Sequence, residues 1–143
     1  MKIKPFIYFY GECKDALDLY TRAFNAKVTH TVKFSEYYPA HILTEKNKDW
    51  ICVANLKIGD DVFKISDALK KPTEGLRCCI EVVMDTDDVL HAYDVLSKEG
   101  TVRELIQEIR FGAFSSECYT SVIDKFGVQW ELCGDGWNNL MSL

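Results

Sequence analysis

The side chains best suited to chemistry lie in the stretch Asp124 to Leu132, close to the C-terminus of this 143-residue chain. Apolar residues alternate there with Gln129 and Glu131, which predicts a strand that carries an amide and a carboxylate on its polar face. A carboxylate on such a face lies either in solvent or in a pocket, where it can act as a general base. Glu131 is therefore the first candidate for a functional group.

A second carboxylate lies in a predicted strand of the same kind, between residues 77 and 84. The alternation of this strand puts Cys79 and Glu81 on one face, and Ile80 and Val82 on the other. Glu81 therefore also lies on the more polar face of its strand, with Cys79 beside it.

The six cysteines and three histidines lack the spacings of metal or redox motifs. No CxxC pair occurs, and Cys78 and Cys79 must point to opposite faces of a strand. No His-x-His or His-Glu-x-x-His pattern occurs either. Because the chain shows no secretory signal, we expect the cysteines to be free thiols, and buried ones.

The composition excludes several classes of protein. With a net charge of -5 and a pI near 5.2, the chain has no basic field for nucleic acid, and its longest basic cluster is the pair Lys70-Lys71. No stretch of 18 apolar residues is present to span a membrane. The 48% hydrophobic content is enough for a buried core, so we expect a globular cytoplasmic protein.

The elements that position the two glutamates follow one order twice. A strand at 3–10, a helix from residue 13 to a left-handed stop at Asn25, and a strand at 27–34 come first. A long loop at 35–49 then leads to a hairpin, 50–58 and 61–66. The second series has a strand at 77–84, a helix that ends at Gly100, and strands at 102–109, 118–124 and 128–133.

An offset of 76 residues superposes the buried stripes of the two helices. The superposed pairs are Cys13 on Val89, Ala16 on Ala92, Leu17 on Tyr93 and Tyr20 on Leu96. Short amphipathic helices can match by chance, but here the order of the flanking strands matches as well. The sequence therefore predicts two βαβββ modules, residues 1–67 and 77–143, joined by a linker at 68–76.

The two modules together resemble the vicinal oxygen chelate superfamily of glyoxalases, bleomycin-resistance proteins and extradiol dioxygenases. The segments Leu56 to Asp60, Ile65 to Asp67, and Phe111-Gly112 ahead of Asp124 to Gly127 are most similar to its PhnB-like branch. The similarity covers nearly the whole chain. It implies an α+β fold in which duplicated βαβββ modules form an eight-stranded mixed sheet, curved into a cup with the helices outside.

Metal-using members of this superfamily take up to four ligands from equivalent strands of the two modules. The resemblance places these positions at Pro5, Lys64, Glu81 and Glu131. Pro5 has no donor atom, and a lysine ammonium repels a cation. Two carboxylates alone suit zinc or nickel poorly, which leaves only weak magnesium or manganese binding. We therefore expect no metal and no cofactor, with a divalent ion as the open alternative.

By the same resemblance, Lys64, Glu81 and Glu131 form a polar cluster on the concave face, with Gln129 and Cys79 nearby. In a functional cluster, two close carboxylates raise one another's pKa so that one acts as a general base, while Lys64 orients an anionic or carbonyl-bearing substrate. The alternative is a salt-bridged patch without a reaction.

The aromatic residues fall into two sets. One set is expected in connecting segments, where it closes over an apolar ligand or belongs to a subunit interface: Tyr37, Tyr38, Phe111 and Phe114. The other set is expected in the core, on the face that packs against the helix: Phe6, Tyr8, Tyr10 and Trp130.

Two functions remain open. The first is a PhnB-like protein that binds a small molecule in the cup without the usual metal site. The second is a lyase, isomerase or dioxygenase-type enzyme that uses a divalent metal or a glutamate base at Glu81 and Glu131. The resemblance also implies a homodimer, with no nucleic acid or membrane partner.

Overall fold

The structure, a computed structural model, describes residues 3–73, 75, 78–111 and 114–134, with the backbone alone at 111, 114 and 115. It divides into two compact units, Met1–Glu74 and Gly75–Leu143, which we call unit 1 and unit 2. Each unit holds one four-stranded mixed sheet.

Unit 1 contains β1 (Phe6–Phe9), α1 (Cys13–Phe24), β2 (Lys27–Lys33), α2 (Phe34–Tyr37), β3 (Ile51–Ile58) and β4 (Asp61–Asp67). Its strands are ordered β1-β4-β3-β2, with β1 parallel to β4 and the other pairs antiparallel.

Helix α1 forms because its apolar residues recur at helical spacing and bury one face. The buried side chains are those of Cys13, Ala16, Leu17, Leu19, Tyr20 and Ala23. The helix ends at Asn25, whose φ of 50° lies in the left-handed region, as the sequence predicts. Buried Asp67, at the end of β4, accepts hydrogen bonds from the backbone N–H groups of Gly11, Cys13 and Ile51. This carboxylate ties the start of α1 to two strands of the sheet.

Unit 2 contains β5 (Ile80–Val83), α3 (Thr86–Ser97), β6 (Thr101–Phe111), β7 (Phe114–Ile123) and β8 (Gln129–Cys133). Its strands are ordered β5-β8-β7-β6, with β5 parallel to β8. Helix α3 buries Val89, Ala92 and Leu96. The fully buried side chains of the sheet include Val122, Trp130 and Leu132.

The two units repeat one strand order, because β1-β4-β3-β2 and β5-β8-β7-β6 have the same sequence of neighbours. The predicted α+β class and the duplicated βαβββ modules are confirmed. All six cysteines are free, as expected, but Cys78 and Cys79 are exposed rather than buried. Among the described residues, no helix is long and apolar enough to cross a lipid bilayer.

Several element boundaries differ from the sequence prediction, including that of β5, which covers Ile80–Val83 of the expected 77–84. Strand β1 covers only Phe6–Phe9 of the expected 3–10. The expected loop at 35–49 begins inside the short helix α2, which forms because Phe34 is fully buried and Glu36 accepts the N–H of Lys33 at 2.7 Å. Strands β6 and β7 are longer than expected and pair up to Phe111 and Phe114, so these residues belong to strands and not to a connecting segment.

The assignment of Phe6, Tyr8 and Tyr10 to the core is wrong. These side chains are 42%, 54% and 38% exposed, whereas Phe9 is buried and lies 6.5 Å from the ring of Tyr20 on α1. Successive residues of a strand face opposite sides, so burial of Phe9 turns the other three away from the helix. Trp130, in contrast, is fully buried as expected.

Candidate functional site

Glu81 and Glu131 lie directly opposite one another on the parallel strands β5 and β8. Neighbouring residues of paired strands point to the same face of a sheet, so both carboxylates share one face. The flanking residues Trp130 and Leu132 are fully buried. The glutamates therefore occupy the face of unit 2 turned away from its core, as the alternation predicts.

Tyr119 on β7 is the third member of this arrangement. Its hydroxyl donates a hydrogen bond to Oε1 of Glu131 at 3.2 Å. Partial burial raises the pKa of Tyr119, and the negative charge of Glu131 raises it further. The phenol therefore stays protonated and acts as the donor. Tyr119 has no signal of its own in the sequence, because its proximity to Glu131 depends on the pairing register of two strands.

Two thiols border the carboxylates. Cys79 forms a side-chain hydrogen bond with Glu131, and desolvation followed by the charge of Glu131 raises the pKa of its thiol. Cys133, fully buried, has its pKa raised from 9.0 to about 12, first by burial and then by the charges of Glu81 and Glu131. Because only a thiolate is a strong nucleophile, neither cysteine is prepared for nucleophilic attack.

Gln129 is held by a residue of the neighbouring strand. Its Nε2 donates to Oγ of Ser121 at 3.2 Å, and Ser121 lies opposite Glu131 across the β7–β8 pair. The amide is thus held at the edge of the carboxylate pair. We call the set Cys79, Glu81, Tyr119, Ser121, Gln129, Glu131 and Cys133 the carboxylate face.

Lys64 belongs to unit 1, where its opposite neighbour across the parallel β1–β4 pair is Phe6. The carbonyl oxygen of Pro5, the other ligand position in unit 1, accepts the backbone N–H of Lys64 at 2.9 Å. The expected closeness of Lys64 to the two glutamates stays a prediction.

The residues at the metal-ligand positions do not suit a metal ion. Neither Phe6 nor Pro5 has a side-chain donor, and the Lys64 ammonium repels cations. Unit 2 offers the two carboxylates, and its thiols have raised pKa values, which opposes the deprotonation that metal binding requires. Within the described ranges, no three His, Cys, Asp or Glu side chains are grouped so that they could hold a metal ion.

Of the predicted aromatic ligand contacts, only two have described side chains. Tyr37 is 69% exposed and its ring lies 5.0 Å from that of Tyr38. Tyr38 packs edge-on against buried Phe34, with centroids 4.8 Å apart, and hydrogen-bonds the thiol of Cys52. Tyr38 is thus fixed to the core of unit 1, whereas Tyr37 is available at its surface. The side chains of Phe111 and Phe114 lie outside the described part of the chain.

Comparison with known proteins gives matches over nearly the whole chain. The family model described as Glyoxalase/Bleomycin resistance protein/Dioxygenase superfamily matches residues 2–132. Protein YjdN from Escherichia coli is 26% identical over 144 residues, which cover 91% of this chain and 92% of YjdN. Among solved structures, protein PA1353 from Pseudomonas aeruginosa has a TM-score of 0.78 at 23% identity, covering 94% of this chain and 97% of its own. The PhnB protein from Bacillus cereus has a TM-score of 0.76 at 18% identity, covering 93% and 98% respectively. These structures establish a shared fold.

Proposed function

Because this chain belongs to the glyoxalase, bleomycin resistance protein and dioxygenase superfamily, we propose that it binds a small organic molecule without the help of a metal ion. The observation that carries this proposal is the pair of residues at the unit 1 positions where the superfamily resemblance places metal ligands: Pro5 has no side-chain donor, and Lys64, which lies opposite the ring of Phe6, carries an ammonium group. A hydrocarbon ring and an ammonium group attract organic ligands and do not coordinate cations.

The carboxylate face of unit 2 by itself offers polar contacts for a ligand. Tyr119 donates to Glu131, and Glu81 stands beside it, so hydroxyl or ammonium groups of a ligand find acceptors held in a defined orientation. Small-molecule sites commonly combine a few polar groups of this kind with aromatic surface.

Metal analysis tests the proposal directly. Elemental analysis and calorimetry with added divalent ions are carried out on the purified wild type, Glu81→Ala and Glu131→Ala. We expect no stoichiometric metal, and ligands found by a thermal-shift screen should bind equally with and without a chelator. One metal per chain in the wild type, lost in both variants, would overturn the metal-free proposal.

A second candidate function is a metal-free enzyme with a glutamate base, and the hydrogen bond between Tyr119 and Glu131 favours it. In that reaction the Glu131 carboxylate takes a proton from a carbon next to a carbonyl group, and the electron pair of the broken C–H bond moves towards the carbonyl oxygen. Tyr119 keeps its own proton and positions the carboxylate.

Proton exchange separates the two candidates. NMR in deuterated water follows loss of the C–H signal from hydroxyketones such as dihydroxyacetone. An enzyme of this kind exchanges the proton in the wild type, and Glu131→Gln abolishes the exchange. If the wild type leaves the C–H signals of a whole panel of hydroxyketones unchanged, binding remains as the single candidate function.

The homodimer is part of the proposal. Sedimentation equilibrium should give about twice the chain mass of 16.4 kDa. A mass equal to that of one chain would contradict the homodimer.

A further inference from the structure

One face of the unit 1 sheet carries an aromatic residue, a cation, an amide and an imidazole in a line across all four strands. Phe6 lies opposite Lys64, Lys64 opposite Asn55, and Asn55 opposite His30. The neighbours of Lys64 along β4, Phe63 and Ile65, are buried. The line, which we call the cross-strand row, therefore lies on the face turned away from the unit 1 core.

The aromatic end of the row is a stacked pair. The rings of Phe6 and Tyr8 are 4.6 Å apart between centroids, with an interplanar angle of 10°. They remain 42% and 54% exposed. Two parallel rings that keep this much apolar surface in water form a rigid surface on which a third planar group can stack.

The cation of the row stands next to these rings. Lys64 is half-buried, and it forms no ion pair with any residue for which the structure gives a position. A partly desolvated ammonium is stabilised by an anion, and the neighbouring Asn55 amide can donate a second hydrogen bond to the same anion. Adjacent strands are about 4.8 Å apart, so one ligand of modest size can touch Phe6, Lys64 and Asn55 together.

We propose that the cross-strand row, with Tyr8, binds a planar aromatic anion whose ring stacks on Phe6 and Tyr8 and whose anionic group pairs with Lys64. This inference rests on the proposed binding function and names the class of its ligand. Charge complementarity selects the anion, because an otherwise identical neutral ring would leave the Lys64 ammonium without a counter-charge.

A matched pair of probes tests the ligand class. Naphthoate and naphthamide share one ring system and differ in charge, so their dissociation constants are compared by calorimetry on the wild type, Lys64→Met and Lys64→Arg. Lys14→Met, on the exposed side of α1, removes the same charge elsewhere and is the control. Circular dichroism checks that each variant is folded.

We expect the wild type to bind naphthoate about tenfold more tightly than naphthamide, as a charge-assisted hydrogen bond provides. Lys64→Met should abolish this preference, whereas Lys64→Arg and Lys14→Met should retain it. Tyr8→Ser should weaken both probes by about the same factor, roughly tenfold, because it removes stacking and leaves the charge.

Three results would overturn the inference: equal affinity of the wild type for both probes, a preference that survives Lys64→Met, or binding of neither probe. The thermal-shift screen with a chelator keeps these failures separate from failure of the proposed function. If the screen finds a non-aromatic ligand while naphthoate does not bind, the proposed binding function stands. The proposal that the ligand is an aromatic anion is then wrong.

Discussion

The hydroxyl of Tyr119 donates a hydrogen bond to Oε1 of Glu131 across 3.2 Å, from β7 to the adjacent strand β8. Burial and the neighbouring negative charge raise the pKa of the phenol, so the proton stays on the tyrosine at neutral pH. The bond fixes one oxygen of the carboxylate that stands opposite Glu81. Any ligand or substrate therefore meets a Glu131 whose orientation is already set.

A double-mutant cycle should detect this bond in the free energy of unfolding. Tyr119→Phe and Glu131→Ala each remove one partner, and we expect a coupling free energy of about 1 kcal/mol, because the pair is only half-buried. Urea unfolding of the wild type, both single variants and the double variant measures it. Tyr93→Phe, on α3, is the control and should show no coupling to Glu131→Ala. A coupling of zero between Tyr119 and Glu131 would mean that the bond does not persist in solution.

The thiol of Cys133 should make the protein lose stability at alkaline pH. Its pKa is raised to about 12 in the folded state, against 9.0 for an ordinary thiol. The unfolded chain therefore loses this proton first, so the contribution of Cys133 is complete below pH 9 and declines as the pH rises towards 12. The decline is up to about 1.4 kcal/mol per pH unit.

Urea unfolding between pH 8 and pH 11 checks whether the free energy of unfolding falls as the pH rises. Cys133→Ala should flatten the fall in the free energy of unfolding, even though the cavity lowers the stability itself. Cys78→Ala should leave the slope as it is in the wild type, because Cys78 is exposed in the folded chain. Equal slopes for the wild type and Cys133→Ala would contradict the raised pKa.

The sequence predicts the carboxylate face well where one side of a strand is plainly apolar. Trp130 and Leu132 fix the direction of β8, so Glu131 and Gln129 must point the other way. Strand β1 gives no such contrast, because Phe6, Tyr8 and Phe9 are all aromatic, and only the contact of Phe9 with α1 decides which face is buried. The sequence therefore predicted the wrong face of β1 to be buried.

Contacts between strands lie beyond what alternation can predict. Tyr119 reaches Glu131 only through the register of β7 on β8, and that register has no signature in either strand alone. The same holds for Phe6, which the register of β1 on β4 puts opposite Lys64. The cross-strand row was invisible in the sequence for this reason.

Asp67 should be the most costly polar residue to replace in unit 1. It is 3% exposed, and its two oxygens accept the N–H groups of Gly11, Cys13 and Ile51 at 2.8–3.0 Å. Asp67→Ala leaves these donors without an acceptor, at about 1–3 kcal/mol for each unsatisfied group. We expect a loss of about 3 kcal/mol or more in urea unfolding. Asp61→Ala, at the exposed start of the same strand, should change the stability by less than about 0.5 kcal/mol.

Gly100 is required for space, although the sequence suggests a role as a flexible helix stop. Its φ is not positive, and an added Cβ would lie 2.6 Å from the carbonyl oxygen of Leu96 and against that of Ile123. Gly100→Ala should therefore cost about 1–3 kcal/mol through overpacking.

Gly59 provides the contrast, with a φ of +58° and no atom within 4 Å of an added Cβ. Asparagine tolerates the left-handed region, so Gly59→Asn should be nearly neutral, whereas Gly100→Asn should destabilise at least as much as Gly100→Ala. Thermal unfolding of the wild type and the three variants measures both effects. If Gly100→Asn leaves the thermal stability unchanged, the backbone conformation at this position, and not the space around it, requires glycine.

Asp124 should control the turn that leads into β8. Its Oδ1 accepts the N–H groups of Phe126 and Val128, and its Oδ2 accepts the indole N–H of fully buried Trp130 at 2.9 Å. Asp124→Ala removes all three hydrogen bonds, and we expect a loss of about 3 kcal/mol, most of it from the indole and the buried part of the turn. Because Trp130 is the immediate neighbour of Glu131, the same change should also displace the carboxylate.

A cycle with Trp130→Phe separates the indole bond from the turn. Phenylalanine keeps an aromatic ring but removes the N–H donor, so the cost of Asp124→Ala should be smaller in the Trp130→Phe background by about 1–2 kcal/mol. The remaining cost then belongs to the N–H groups of Phe126 and Val128. If the two changes are strictly additive in urea unfolding, the indole bond contributes nothing, and Trp130 is held in place by packing alone.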